Sequence, residues 1–228
     1  MPIEAVILDL DGTLAHFNLD FKALRADVRS HLIRAGVPTS VLTVNESIFE
    51  MLKKSEIFFK NGDKTNSAKV FDKIRTQALA IAEKYEMEAA TTTSLQTGAV
   101  EMLKELKAMS LKIGLCTTNS EKAAKYILQR FKIEDYFKTI VSRDKVKYVK
   151  PHTEQFELAL KALSAKAQGT VIVGDSVVDM QSAKELKAIA VGIPTGTATL
   201  EQLKKASSNF IITSLSDLPM LIKEINKP

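Results

Sequence analysis

At 228 residues the chain is long enough to bury a substantial core, as one large domain or as a domain carrying an insertion. Its 45% hydrophobic and 26% charged content is ordinary for a soluble globular protein and argues against a disordered or fibrous chain. The net charge of +5 is spread along the chain without a basic run, and tryptophan is absent, so an anionic ligand is favoured and nucleic acid is not.

A single cysteine, Cys116, rules out an intramolecular disulfide. Set in an apolar run, it is expected to be a buried, inert thiol of a reducing, cytoplasmic compartment. The first apolar stretch is too short for a signal peptide or a membrane span. That stretch is Ala5-Val6-Ile7-Leu8, followed at once by Asp9-Leu10-Asp11-Gly12-Thr13-Leu14. An unbroken apolar run predicts a strand buried on both faces, ending by delivering Asp9 and Asp11 into a polar crevice. Burying carboxylates there is costly unless something binds them. Gly12 permits the sharp turn out of the sheet, and the Thr13 hydroxyl can donate to a neighbouring carboxylate.

From residue 16 to about 88 the pattern is helical. Phe21, Leu24, Val28 and Leu32 share one face, with Gly36 and Pro38 as a stop. A second helix carries Val44, Ile48, Met51 and Leu52, with Ile57 to Phe59 as an extension, and ends near Asn61-Gly62-Asp63. A third starts at the N-cap candidate Asn66 and aligns Val70, Ile74, Ala78, Ile81 and Tyr85. No strand-like alternation interrupts them, so the segment reads as an all-helical insertion with its own core.

Beyond Thr97 strands and helices alternate. Helices are expected near 99–109, 120–131, 153–163, 179–186, 200–205 and up to 225. Strands are expected at 111–116, 139–141, 171–173, 188–191 and 210–212. That alternation predicts an α/β fold, a doubly wound parallel sheet with helices on both faces. Such sheets bind ligands beyond the carboxyl ends of their strands, so the residues there carry the chemistry. They are Asp9 and Asp11; Thr117-Thr118-Asn119-Ser120; Lys150-Pro151, before the helix near Thr153; and Gly174-Asp175-Ser176-Val177-Val178-Asp179. Singly, each has a plainer explanation: a helix cap, a solvated lysine, a first-turn charge. His152 reads as a surface residue at a helix start.

Their joint order resembles the four sequence motifs of the haloacid dehalogenase superfamily, over about residues 1–15 and 95–228. The insertion at 16–94 is similar to the helical cap of its phosphoglycolate-phosphatase-like and phosphomutase-like members. The chain departs at Gln96-Thr97-Gly98, where many relatives carry Pro-Gly. The resemblance implies a Mg²⁺-dependent phosphatase acting on a small phosphorylated metabolite, with Asp9 as nucleophile and Asp11 as acid and base. It implies that Asp9, Gly12, Thr118, Asn119 and Lys150 hold the phosphate, Thr118 and Lys150 also serving catalysis. Mg²⁺ would be held by Asp9, Asp175 and the Asp11 carbonyl, with Asp179 in support, and the cap would close over the site. A carboxylate at position 11 favours phosphate chemistry over dehalogenation. A sugar phosphomutase, or a phosphate-binding module without catalysis, shares the same residues. Neither a nucleic-acid nor a membrane partner is expected, and the protein is expected to be a monomer or homodimer.

Overall fold

The computed structural model describes residues 2–61 and 67–227. The expected ends at Gly62-Asp63 and the Asn66 cap lie outside them. In chain order the elements are β1 (Ala5–Leu8), α1 (Phe21–Arg34), α2 (Ile48–Asn61), α3 (Ser67–Thr92), α4 (Ala99–Ala108), β2 (Lys112–Cys116) and α5 (Glu121–Arg130). Then follow β3 (Thr139–Val141), α6 (Glu154–Leu163), β4 (Thr170–Gly174), α7 (Val177–Glu185), β5 (Ile189–Gly192), α8 (Leu200–Lys205), β6 (Phe210–Ile211) and α9 (Leu218–Ile225).

The strands form one parallel sheet in the order β3-β2-β1-β4-β5-β6. The chain winds outward from β1 through β2 to β3, then returns to the opposite side of β1 to lay down β4, β5 and β6. Winding reverses at β1, which pairs Leu8 with Leu115 on one side and with Val173 on the other. The crevice beyond a strand that neighbours both directions is where such folds hold their ligands.

Alternation along β1 divides the core into two layers. Val6 and Leu8 join Ile113, Leu115, Val171 and Val173 beneath α4, α5 and α9, through Leu103, Ile127 and Ile222. Ala5 and Ile7 face the other way, onto Phe156 and Leu163 of α6, Met180 of α7 and Leu203 of α8. Burying each such large aliphatic side chain is worth about 1.5–3 kcal/mol, so both faces hold the strand in register.

The chain divides into two compact units, residues 1–18 with 90–228, and Leu19–Ala89. Residues 16–18 and 90–94, assigned by sequence to the insertion, group with the sheet because the outgoing and returning chains bond to each other. His16 N donates to Ser94 O at 2.8 Å, Gln96 N to Leu14 O at 2.9 Å, and Thr93 Oγ1 to His16 O at 2.7 Å. The second unit has its own core, built from Leu24, Val28 and Leu32 of α1, Met51 and Leu52 of α2, and Phe71, Ile74 and Ala78 of α3. Asp20 caps α1 by accepting from Ala23 N, and Gly36, at φ +102°, ends it. Val44, Ile57 and Val70, expected on the buried faces, are exposed. In α2 the buried stripe runs Ile48, Met51, Leu52, Ser55, leaving Ile57 off that face; Ser55 joins it by donating to Met51 O at 2.7 Å. Among the described residues, no helix is long and apolar enough to cross a membrane.

Candidate active site

Three carboxylates meet at the ends of β1 and β4 and in the first turn of α7. Asp9, Asp175 and Asp179 are buried, and each offers an oxygen within 4.8 Å of the others. Lys150 reaches into the group from the loop before α6, where its peptide bond to Pro151 is cis. Its ammonium donates to Asp9 Oδ1 at 2.6 Å, Asp179 Oδ1 at 2.7 Å and Cys116 O at 3.3 Å, and its side chain is 3% exposed. An ordinary loop lysine would be solvated; this one is enclosed by the charges it neutralises.

Each acid is oriented by neighbours. Asp175 Oδ2 accepts from Thr197 N at 2.6 Å and Thr197 Oγ1 at 3.1 Å, while Thr13 Oγ1 donates to its Oδ1 at 3.3 Å. The Asp179 carboxylate accepts from Ser176 Oγ, and Ser176, not either aspartate, caps α7. Asp11 stands apart from the three: half-buried, its Oδ2 accepts from Asn119 Nδ2 at 2.7 Å. Thr118 is half-buried on the same loop, with its carbonyl accepting from Arg143 Nη1 at 3.1 Å. Ser120 is the cap of α5, so part of the Thr-Thr-Asn-Ser cluster does have the plain role that cap residues suggest.

Gly12 serves by closeness. Its N–H donates to Ala15 O at 2.8 Å. With φ at +81°, a Cβ there would lie 2.6 Å from the Asp175 carboxylate carbon and 2.9 Å from Gly196 Cα. Gly12→Ala is therefore expected to cost about 1–3 kcal/mol through the backbone alone, more once Asp175 is displaced. The urea midpoint reads this directly, and an unshifted midpoint would contradict the packing.

Electrostatics follow from enclosure. Burial pushes the Asp9 carboxyl well above the usual carboxylate range; Lys150 opposes this and the charges of Asp179 and Asp175 reinforce it. Burial, then Asp179, also raise Asp175 against the pull of Thr197. For Lys150 burial alone would lower the ammonium, but Asp179 and Asp9 together outweigh it and hold it raised, so it stays charged. Burial pushes the Cys116 thiol up, which leaves it inert as expected. Three carboxylates against one ammonium leave a formal excess of two negative charges in a buried space. Hard oxygen donors with that excess fit a divalent cation such as Mg²⁺.

Sequence reasoning did not single out Asn119 as the partner of Asp11, nor Thr197, Ser176 and Gln155. Lone polar residues in loops and first turns carry no periodic signal, and each acquires a role only when distant strand ends converge.

Comparison with known proteins identifies the family. A family model described as haloacid dehalogenase-like hydrolase matches residues 6–193. The chain is 27% identical over 237 residues to the pyrophosphatase PpaX of Bacillus anthracis, covering 100% of both. It is 29% identical over 238 residues to the glyceraldehyde 3-phosphate phosphatase of Methanocaldococcus jannaschii, covering 99% of both. Among solved structures, a predicted phosphoglycolate phosphatase from Haemophilus somnus superposes with a TM-score of 0.65 at 19% identity, over 96% of this chain and 97% of that one. At that identity the likeness speaks to the fold.

Proposed function

The chain belongs to the haloacid dehalogenase-like hydrolase family, and on that footing we propose that it is a Mg²⁺-dependent phosphatase of small phosphorylated compounds. The observation that carries this reading is the enclosed group of Asp9, Lys150, Asp175 and Asp179 beyond the strand where the sheet reverses. Relatives named as phosphatases, alike over the full chain, support it.

In the proposed reaction an Asp9 carboxylate oxygen attacks phosphorus while the bond to the leaving oxygen breaks, producing an aspartyl-phosphate. Asp11 gives its proton to the leaving oxygen, then takes one from the water that attacks the same phosphorus and frees Asp9. Its bond from Asn119 aims the carboxylate, and its partial exposure leaves a route to solvent. Lys150, already in place against Asp9, balances charge on the transferring group without having to reorganise, and Thr118 adds a hydroxyl donor. Asp9, Asp175 and the Asp11 carbonyl would hold Mg²⁺, with Asp179 in support, and when bound it supplies further neutralisation of the phosphoryl oxygens.

The relatives' names put pyrophosphate and glyceraldehyde 3-phosphate first in a substrate screen. The test is phosphate release from an aryl phosphate and from these two compounds, with Mg²⁺ and with chelator. Release is expected only with the metal. Mg²⁺ at a hundred times its dissociation constant should stabilise the fold by about 2.7 kcal/mol. Asp175→Asn should lose both effects, and metal-independent release, or equal Mg²⁺ stabilisation of the variant, would count against the proposed metal role.

A further inference from the structure

We propose that Gln155 is a positioning residue: the first turn of α6 grips the loop that carries Lys150 and so sets where its ammonium arrives. Its effect on turnover rests on the phosphatase reading above; its effect on the lysine does not.

Gln155 is fully buried beside Phe156, where an apolar side chain would fill the space at no polar cost. Instead its amide makes three bonds, each to a different strand end or loop. Nε2 donates to Thr117 O at 2.8 Å and to Val141 O at 3.4 Å, and Oε1 accepts from Lys150 N at 3.2 Å. The preceding residue acts on the same loop, since the Glu154 carboxylate accepts from Lys147 N at 3.1 Å and Tyr148 N at 2.9 Å. Beyond the lysine, Ser182 Oγ donates to Pro151 O at 3.0 Å. The lysine backbone is thus held from both sides.

Placement of that backbone matters because the side chain has little slack in its task. Nζ must stand within 2.7 Å of two carboxylates at once, those of Asp9 and Asp179. A long flexible side chain has many rotamers, and only a fixed Cα makes one of them dominant. By holding Thr117 O as well, Gln155 ties the lysine to the loop that presents Thr118. Misplacing a group of this kind by about 1 Å costs on the order of a hundredfold in rate.

The test compares the parent with Gln155→Met, which keeps length and apolar volume but removes the three bonds. The first measurement is the rate at which Lys150 is acetylated in the folded protein, read by peptide mass spectrometry against exposed Lys53 as reference. Lys150 should be protected in the parent and modified many times faster in Gln155→Met, with Lys53 unchanged. The second is kinetic: kcat should fall roughly ten- to hundredfold with KM changed less than about threefold. In a Lys150→Arg background the same substitution should have a much smaller effect, because the group it positions has already been altered. Equal protection of Lys150 in both proteins, or an undiminished effect in the Lys150→Arg background, would overturn the proposal. If the parent releases no phosphate, the phosphatase reading falls, and the acetylation rates still decide whether Gln155 places the lysine.

Discussion

Asp9→Asn is expected to lower phosphate release at least about 10⁴-fold while leaving the protein folded. Asparagine has the same shape and keeps an oxygen that can accept from Lys150, whose other partner, Asp179, is untouched. What it lacks is a carboxylate able to attack phosphorus. Because burial already disfavours charge at position 9, removing that charge should not lower the unfolding midpoint. Turnover within tenfold of the parent, on an aryl phosphate with Mg²⁺, would assign the nucleophile elsewhere.

Lys150→Met is expected to do the opposite kind of damage, to fold and activity together. Removing the cation from a buried group of carboxylates leaves charge uncompensated, a change that costs about 3–5 kcal/mol. Activity should fall a further way, by about 10²–10³-fold measured under conditions where the variant is fully folded. The pH dependence has a defined sign. Asp9 already binds its proton more tightly when folded than when unfolded, and losing Lys150 removes the charge that opposes this. A carboxyl of that kind stabilises the fold at low pH and loses that contribution as pH rises. The stability deficit of Lys150→Met, read from urea unfolding in chelator, should therefore grow as pH rises above the usual carboxylate range. Adding Asp9→Asn to Lys150→Met should return part of the loss, since one fewer carboxylate then needs a partner.

How much of this was legible in the sequence depends on the range over which each signal acts. The strand at Ala5–Leu8 was plain because burial on two faces leaves an unbroken apolar run, and the parallel alternation beyond residue 97 followed from period changes visible within ten residues. The charged group was readable only through the order of its motifs. Lys150 lies 141 residues from Asp9, and no local rule separates it from a solvated lysine. Where the reading failed, a local pattern had two outcomes. Ile57 sits among apolar neighbours yet points away from the stripe that Ser55 completes, because two residues past Ser55 is nearly the opposite side of a 3.6-residue turn, and Ser55 satisfies its buried hydroxyl on Met51 O. Gln155 and Thr197 were invisible because a polar residue in a first turn or loop looks solvent-facing until the elements it joins are brought together.

The stapled connection at residues 14–18 and 92–96 has a consequence for how such a protein can change over generations. Its two chains leave and re-enter side by side, so the gap a replacement must span is only the width of a hydrogen bond. Any helical module whose own ends lie close together can be spliced in there without altering the register of a single strand. Selection can thus exchange what is carried on the stalk while the acids, the lysine and the glycine that touches them descend unaltered.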